Sequence, residues 1–243
     1  MLCDVRNARC RTRNDGRARS GGYFPAETGA VDHDSQTMLE SVKGRLQDNL
    51  SRIDNLVRIY DELSPPTQGR RPRNATDILR AAVVLLHASI EDFMRGVLEY
   101  KLPKASAEVI DGIPLVGTSH SSMPSKFLLG SLVGHQAKTV EELITESVNS
   151  YLQVLSFNST HELAYALKRL GLPVEDHNSH FGDLDKLIRR RHHIVHQADK
   201  KDVPGRGHHA AKSIGKHHIN SWKYSVEHFC GDVLGALEIP AHA

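Results

Sequence analysis

The chain has 243 residues, 39% hydrophobic and 25% charged, with 31 Lys and Arg against 29 Asp and Glu. That is enough apolar material for one principal core, while no apolar run approaches the roughly 18 to 20 residues that cross a bilayer, so a soluble, cytoplasmic domain is expected. Cys3, Cys10 and Cys230 are too few and too scattered for a disulfide framework or a structural zinc site, and Met1 to Ser20 lack the apolar stretch of a secretory signal.

Residues 1–34 mix Arg6, Arg9, Arg11, Arg13, Arg17 and Arg19 with Gly, Asn and Ser and show no hydrophobic period. They read as a disordered, Arg-rich tail, either an RNA-contacting arm or sequence upstream of the true start. From residue 35 the pattern changes. Leu39, Val42, Leu46, Leu50, Ile53, Leu56, Val57 and Tyr60 recur at helical spacing, and Ser64-Pro65-Pro66 ends that helix. After a basic connection, Thr76 is the expected cap of a second long helix reaching toward Pro103, with Leu79, Val83, Leu86, Ile90, Phe93, Val97 and Leu98 as its buried stripe.

Residues 103–137 are punctuated by Gly112, Pro114, Gly117, Pro124, Gly130 and Gly134 and read as an irregular insertion with one or two short helices. Thr139 and Glu142 have the spacing of a capping box, so a helix is expected from there to about Leu155. Thr160 is the expected cap of a shorter helix through Leu170, closed by Gly171 and Pro173. A further helix is expected from near Gly182, with Phe181, Leu184, Leu187 and Ile188 inward. The last helix has Ile219, Trp222, Val226, Phe229, Val233 and Leu237 as its core face, with Cys230 a core thiol. No segment alternates with period two, so residues 35–240 are predicted to form an all-α antiparallel helical bundle.

The chemistry concentrates at Arg189-Arg190-Arg191-His192-His193-Ile194-Val195-His196. A guanidinium presents a fork of donors to phosphate and stays charged, whereas an imidazole exchanges a proton near neutrality. From Arg189 to His218 eight Lys or Arg face only Asp199 and Asp202, and seven histidines join them, so this segment attracts phosphate although the whole chain carries only +2. Lys200, Lys201 and Arg206 are candidate substrate contacts, and the Gly205-Arg206-Gly207-His208-His209 loop is either a substrate guide or a solvated connector. A solvated basic face is the bland reading of the whole run.

Two features resemble the HEPN superfamily, and within it the RiboL-PSP-type HEPN domains. One is Arg191-His192-His193-Ile194-Val195-His196, similar to the family signature of an Arg, a polar residue and a His four to six positions on; Arg189 and Arg190 also meet the spacing. The other is Ala81 to Phe93, similar to the family helix that carries an acidic residue after an apolar run, which singles out Glu91. The resemblance spans about residues 36–238. It implies a homodimer whose motif helices meet, metal-independent endoribonuclease activity without a cofactor, and a toxin or phage-defence setting with a cognate antitoxin or other regulator. Arg191 and His196 would be the catalytic pair, His192 the supporting polar group, and Glu91, Arg189, Arg190 and His193 accessories. Where antitoxin-controlled relatives carry a modifiable Tyr after the motif, this chain has Gln197-Ala198.

Helical geometry leaves the choice of arginine open. At about 100° per residue, Arg191 and His196 diverge by about 140°, whereas Arg189, His192, His193 and His196 share an arc of about 100°. A kink or a site shared between subunits would reconcile Arg191 with His196. The alternative function is a non-catalytic RNA- or nucleotide-binding module using the same cations. A metal site at His192 and His196 is disfavoured, because no carboxylate accompanies them and neighbouring cations repel a metal ion.

Overall fold

The computed structural model describes residues 33–64, 73–117, 129–200 and 211–238. The Arg-rich segment before residue 33, Cys3, Cys10, Lys201, Arg206 and the 205–209 loop lie outside the described residues. Among the described residues there are seven α-helices: α1 (His33–Leu63), α2 (Arg73–Lys101), α3 (Ala107–Ile110), α4 (Val140–Val154), α5 (Thr160–Arg169), α6 (Asn178–Gln197) and α7 (Lys216–Glu238). The single extended pairing described is an antiparallel bridge between Lys200 and Ala211. The fold is an all-α bundle. No described helix is long and apolar enough to cross a membrane.

Helix α2 is the hub, packing against α1, α4, α5, α6 and α7. Its expected stripe from Leu79 to Leu98 is buried throughout, joined by Ala75, Ala82 and Met94. Opposite it on α1, Leu39, Val42, Leu46, Leu50, Ile53 and Tyr60 are buried, while Leu56 and Val57 are only partly so. The pairing is antiparallel, because Arg45 meets Asp92 at 3.3 Å whereas the earlier Val42 lies against the later Gly96. A Cβ on Gly96 would stand 2.7 Å from Val42 Cγ2 and 2.8 Å from Arg45 Nη2, so hydrogen alone allows this approach. Helix α7 runs antiparallel to α1 through Asp61–Lys216 and Asp54–Lys223, and antiparallel to α6 through Asp183–Ser221 and His180–Asp232. These ion pairs are largely solvated and record alignment more than stability.

Helix boundaries depart from expectation where a different polar group reaches an end amide. Helix α2 begins at Arg73, so Thr76 is not its cap; the Thr76 hydroxyl donates to the Arg73 carbonyl inside the first turn. Ser159 caps α5, accepting from Glu162 N while the Glu162 carboxylate returns to Ser159 N, which leaves Thr160 as the first helical residue. Helix α6 starts at Asn178, one turn before Gly182, fed by a 3₁₀ turn over Glu175–His177. The Thr139–Glu142 capping box is present and α4 follows it. Gly171 adopts φ +77° and closes α5, with Leu172 N donating to Leu167 O. The described parts of the expected insertion hold the short α3 and two 3₁₀ turns, Leu102–Lys104 and Leu129–His135.

Candidate active site

Helix α6 brings the motif to the surface at its last two turns. Leu184, Leu187 and Ile188 anchor the helix in the core, and from Arg189 onward the side chains fan out in three directions. Arg189 is exposed and pairs with Asp185 one turn back at 2.9 Å. His192 and His196, both exposed, stack with ring centroids 4.7 Å apart, and His193 Nδ1 lies 2.7 Å from Gln197 Oε1. Val195 is half exposed and, at helical spacing, falls between Arg191 and His192. The helix is unbroken from Asn178 to Gln197.

Arg191 faces another way. Its Nη1 donates to Asn158 Oδ1 at 3.3 Å, in the turn that enters α5. The preceding residue, Phe157, is held at both backbone groups from α2: Glu91 Oε1 accepts its N–H at 3.2 Å, and His87 Nε2 donates to its carbonyl at 3.0 Å. A carbonyl only accepts, so the proton of this buried ring sits on Nε2. Burial lowers the His87 pKa from its ordinary value, Glu91 pulls it back, and Arg191 and Arg95 lower it further. Arg95 adds two donors to the Leu155 carbonyl. Glu91 therefore positions the Phe157–Asn158 turn on which Arg191 rests; among the described residues its bonds run to Phe157 and to Arg95 rather than to Arg191.

Arg190 turns inward. Its Nη2 reaches Asp199 Oδ2 at 2.8 Å and the carbonyls of Lys212 and Ser213 at 3.1 Å each, while Arg80 from α2 reaches the same Asp199 oxygen at 2.8 Å and Lys212 O at 2.9 Å. Asp199 is 1% exposed. Two guanidinium groups thus share one buried carboxylate, and burial lowers the Arg190 pKa against the raising effect of Asp199. Ala198 and Asp199 carry φ of 50° and 54°, which stop α6 and turn the chain so that Lys200 bridges Ala211. The triad holds the chain where Lys200 bridges Ala211, and Lys200 is exposed.

The structure therefore gathers His192, His193 and His196 with Arg189 on one exposed face, sets Arg191 with Glu91 on another, and commits Arg190 to Asp199. Among the described residues no hydrogen bond or ion pair joins Arg191 to His196. His87, Arg95, Asn158, Arg80 and Asp199 escaped the reading of the sequence. His87, Glu91 and Arg95 are spaced four apart, which places them on one face of α2 and was a visible signal; Arg80 and Asp199, 119 positions apart, offered none. Among the described residues no three His, Cys, Asp or Glu side chains converge as a metal-ligand group.

Comparison with known proteins matches the chain to the model of the RiboL-PSP-HEPN family over residues 47–238. Neither curated proteins nor solved structures return a match. The match takes in α2, α6 and α7 with every described residue of the site just drawn, and covers well over half of the chain; the protein belongs to the RiboL-PSP-HEPN family.

Proposed function

We propose that the protein is a metal-independent endoribonuclease that cuts RNA at a site shared between two copies of the chain. The observation that carries this reading is the exposed His192–His196 pair on the face where α6 ends, next to Arg189 and one residue from Arg191. RNA brings its own nucleophile, so the protein needs a base for the 2′-hydroxyl proton, a fixed cation for the charge that develops on the phosphorane, and an acid for the departing 5′-oxygen. His196 takes the proton, with His192 supporting it. Arg191 of the second copy supplies the cation, because within one copy it diverges from His196. The P–O5′ bond breaks as the 2′-oxygen bonds to phosphorus, and the His192–His196 pair returns the proton it took to the departing 5′-oxygen, leaving a 2′,3′-cyclic phosphate and a 5′-hydroxyl. Lys200 is assigned a contact with the RNA backbone, and Lys201 and Arg206, outside the described residues, are assigned the same role from the sequence alone. The setting we propose, from family membership, is a cytoplasmic toxin or phage-defence effector held by a cognate regulator.

The test is purified protein with RNA in excess EDTA. Cleavage to cyclic-phosphate ends, lost in His196→Ala and in Arg191→Ala at unchanged helicity, is the expected result; cleavage that survives in both variants rejects the assignment. A second reading has its own support: Arg191 rests on Asn158 in each copy, which suits a module that holds RNA or a nucleotide without cutting it. In that case RNA binds, weakens steeply with salt, and stays intact.

A further inference from the structure

The three adjacent arginines of α6 are held by different chemistry. Arg189 pairs with the Asp185 carboxylate and Arg190 with that of Asp199. Arg191 instead donates Nη1 to the side-chain amide oxygen of Asn158 at 3.3 Å, and among the described residues no carboxylate lies within ion-pair distance of it. A guanidinium gripped by a carboxylate has much of its field toward a phosphate cancelled, whereas one gripped by a neutral amide is oriented with its charge intact.

The turn that carries Asn158 is held more firmly than a connector between α4 and α5 requires. From α2, Arg95 donates twice to the Leu155 carbonyl, Glu91 accepts the Phe157 N–H, and His87 donates to the Phe157 carbonyl. From α5, the Glu162 carboxylate accepts the N–H groups of both Asn158 and Ser159. Backbone groups in a surface turn can be left to water; here four side chains take them instead, while the Asn158 side chain itself stands exposed. The consequence is a fixed origin for one amide, and that amide meets Arg191.

We propose that Asn158 is a positioning residue: its Oδ1 aims the Arg191 guanidinium so that the remaining N–H groups of the fork meet the scissile phosphate, with the positive charge uncancelled. That the phosphate belongs to RNA being cut rests on the nuclease reading above. An arginine side chain has several free torsions, and a single fixed acceptor removes part of that freedom before the substrate arrives. The benefit falls on the step in which charge develops, so Asn158 acts on kcat more than on KM.

The experiment compares the full chain with Asn158→Ala and Asn158→Asp in three measurements. These are RNA cleavage kinetics, RNA affinity across salt concentrations, and NMR relaxation of the Arg191 Nε–H, assigned by its disappearance in Arg191→Lys. Because the Asn158 side chain is exposed, unfolding midpoints stay at the wild-type value. Asn158→Ala lowers kcat about tenfold with KM little changed, and the Arg191 Nε–H becomes mobile. Asn158→Asp keeps the acceptor, so the Nε–H stays as ordered as in the wild type; its new charge lowers RNA affinity and makes the salt dependence shallower by about one ion. An Arg191 Nε–H as mobile in the wild type as in Asn158→Ala overturns the proposal. Wild-type cleavage with kcat unchanged in Asn158→Ala sinks the positioning role and leaves the nuclease reading intact. No cleavage by the wild type, with order at Arg191 lost in Asn158→Ala and RNA affinity reduced in Asn158→Asp, sinks the nuclease reading and leaves the hold on Arg191 standing.

Discussion

At the scale of single residues the site depends on two buried polar groups that never touch solvent. His87 is 1% exposed, and burial first, opposed by Glu91 and aided by Arg191 and Arg95, lowers its pKa from the ordinary imidazole value of 6.5. A histidine whose folded pKa is depressed stabilises the fold above the unfolded value, and that contribution is lost as pH falls toward the folded one, because only the unfolded chain then takes up the proton. Unfolding midpoints in urea should therefore drop as pH falls below the ordinary imidazole value of 6.5, and His87→Gln, which keeps a donor for the Phe157 carbonyl, should flatten that part of the profile. An identical slope in the variant contradicts the assignment. Asp199 is the second group. Removing it in Asp199→Ala leaves Arg80 and Arg190 facing each other in a buried setting, so a loss of about 3 kcal/mol in denaturant unfolding is expected. A loss under about 1 kcal/mol would show that water reaches the triad.

At the scale of elements, closeness between α1 and α2 is set by one position. Gly96→Val places two methyl groups where Val42 and Arg45 already sit, so a loss of about 1 to 3 kcal/mol is expected despite the better helix propensity of the new residue. A neutral result in thermal unfolding would mean that the helices part freely. These elements also show what sequence could and could not convey. The stripes of α1, α2 and α7 were legible because burial demands an apolar residue on every turn, and the Thr139–Glu142 box because its two hydrogen bonds require that spacing. Starts were less legible. Thr160 and Ser159 are both good caps, and what selects Ser159 is the reach of Glu162, three residues on. The early start of α6 comes from a 3₁₀ lead-in that has no apolar period of its own. At the site the motif was visible as composition, but the division of labour among three adjacent arginines was not. It depends on where Asn158, Asp185 and Asp199 lie in space, and only Asp185 sits at helical spacing from its partner.

At the scale of the whole molecule, the helix that bears the motif is continuous from Asn178 to Gln197 and directs Arg191 to Asn158 while His196 stacks on His192, so within one copy the two side chains point to different partners. The half-exposed Val195, which at helical spacing falls between Arg191 and His192, is the apolar position that a second copy would cover in the proposed dimer. The proposed two-fold arrangement would set Arg191 of each copy toward His196 of the other. Arg189, by contrast, already shares the histidine face and would serve a site complete within one copy. Mixing inactive Arg191→Ala protein with inactive His196→Ala protein, after unfolding and refolding them together, separates these arrangements. A shared site predicts that RNA cleavage returns to roughly a quarter of the wild-type rate, since half of the dimers are mixed and each of those holds one intact pair. A mixture as inactive as its two components would contradict the account.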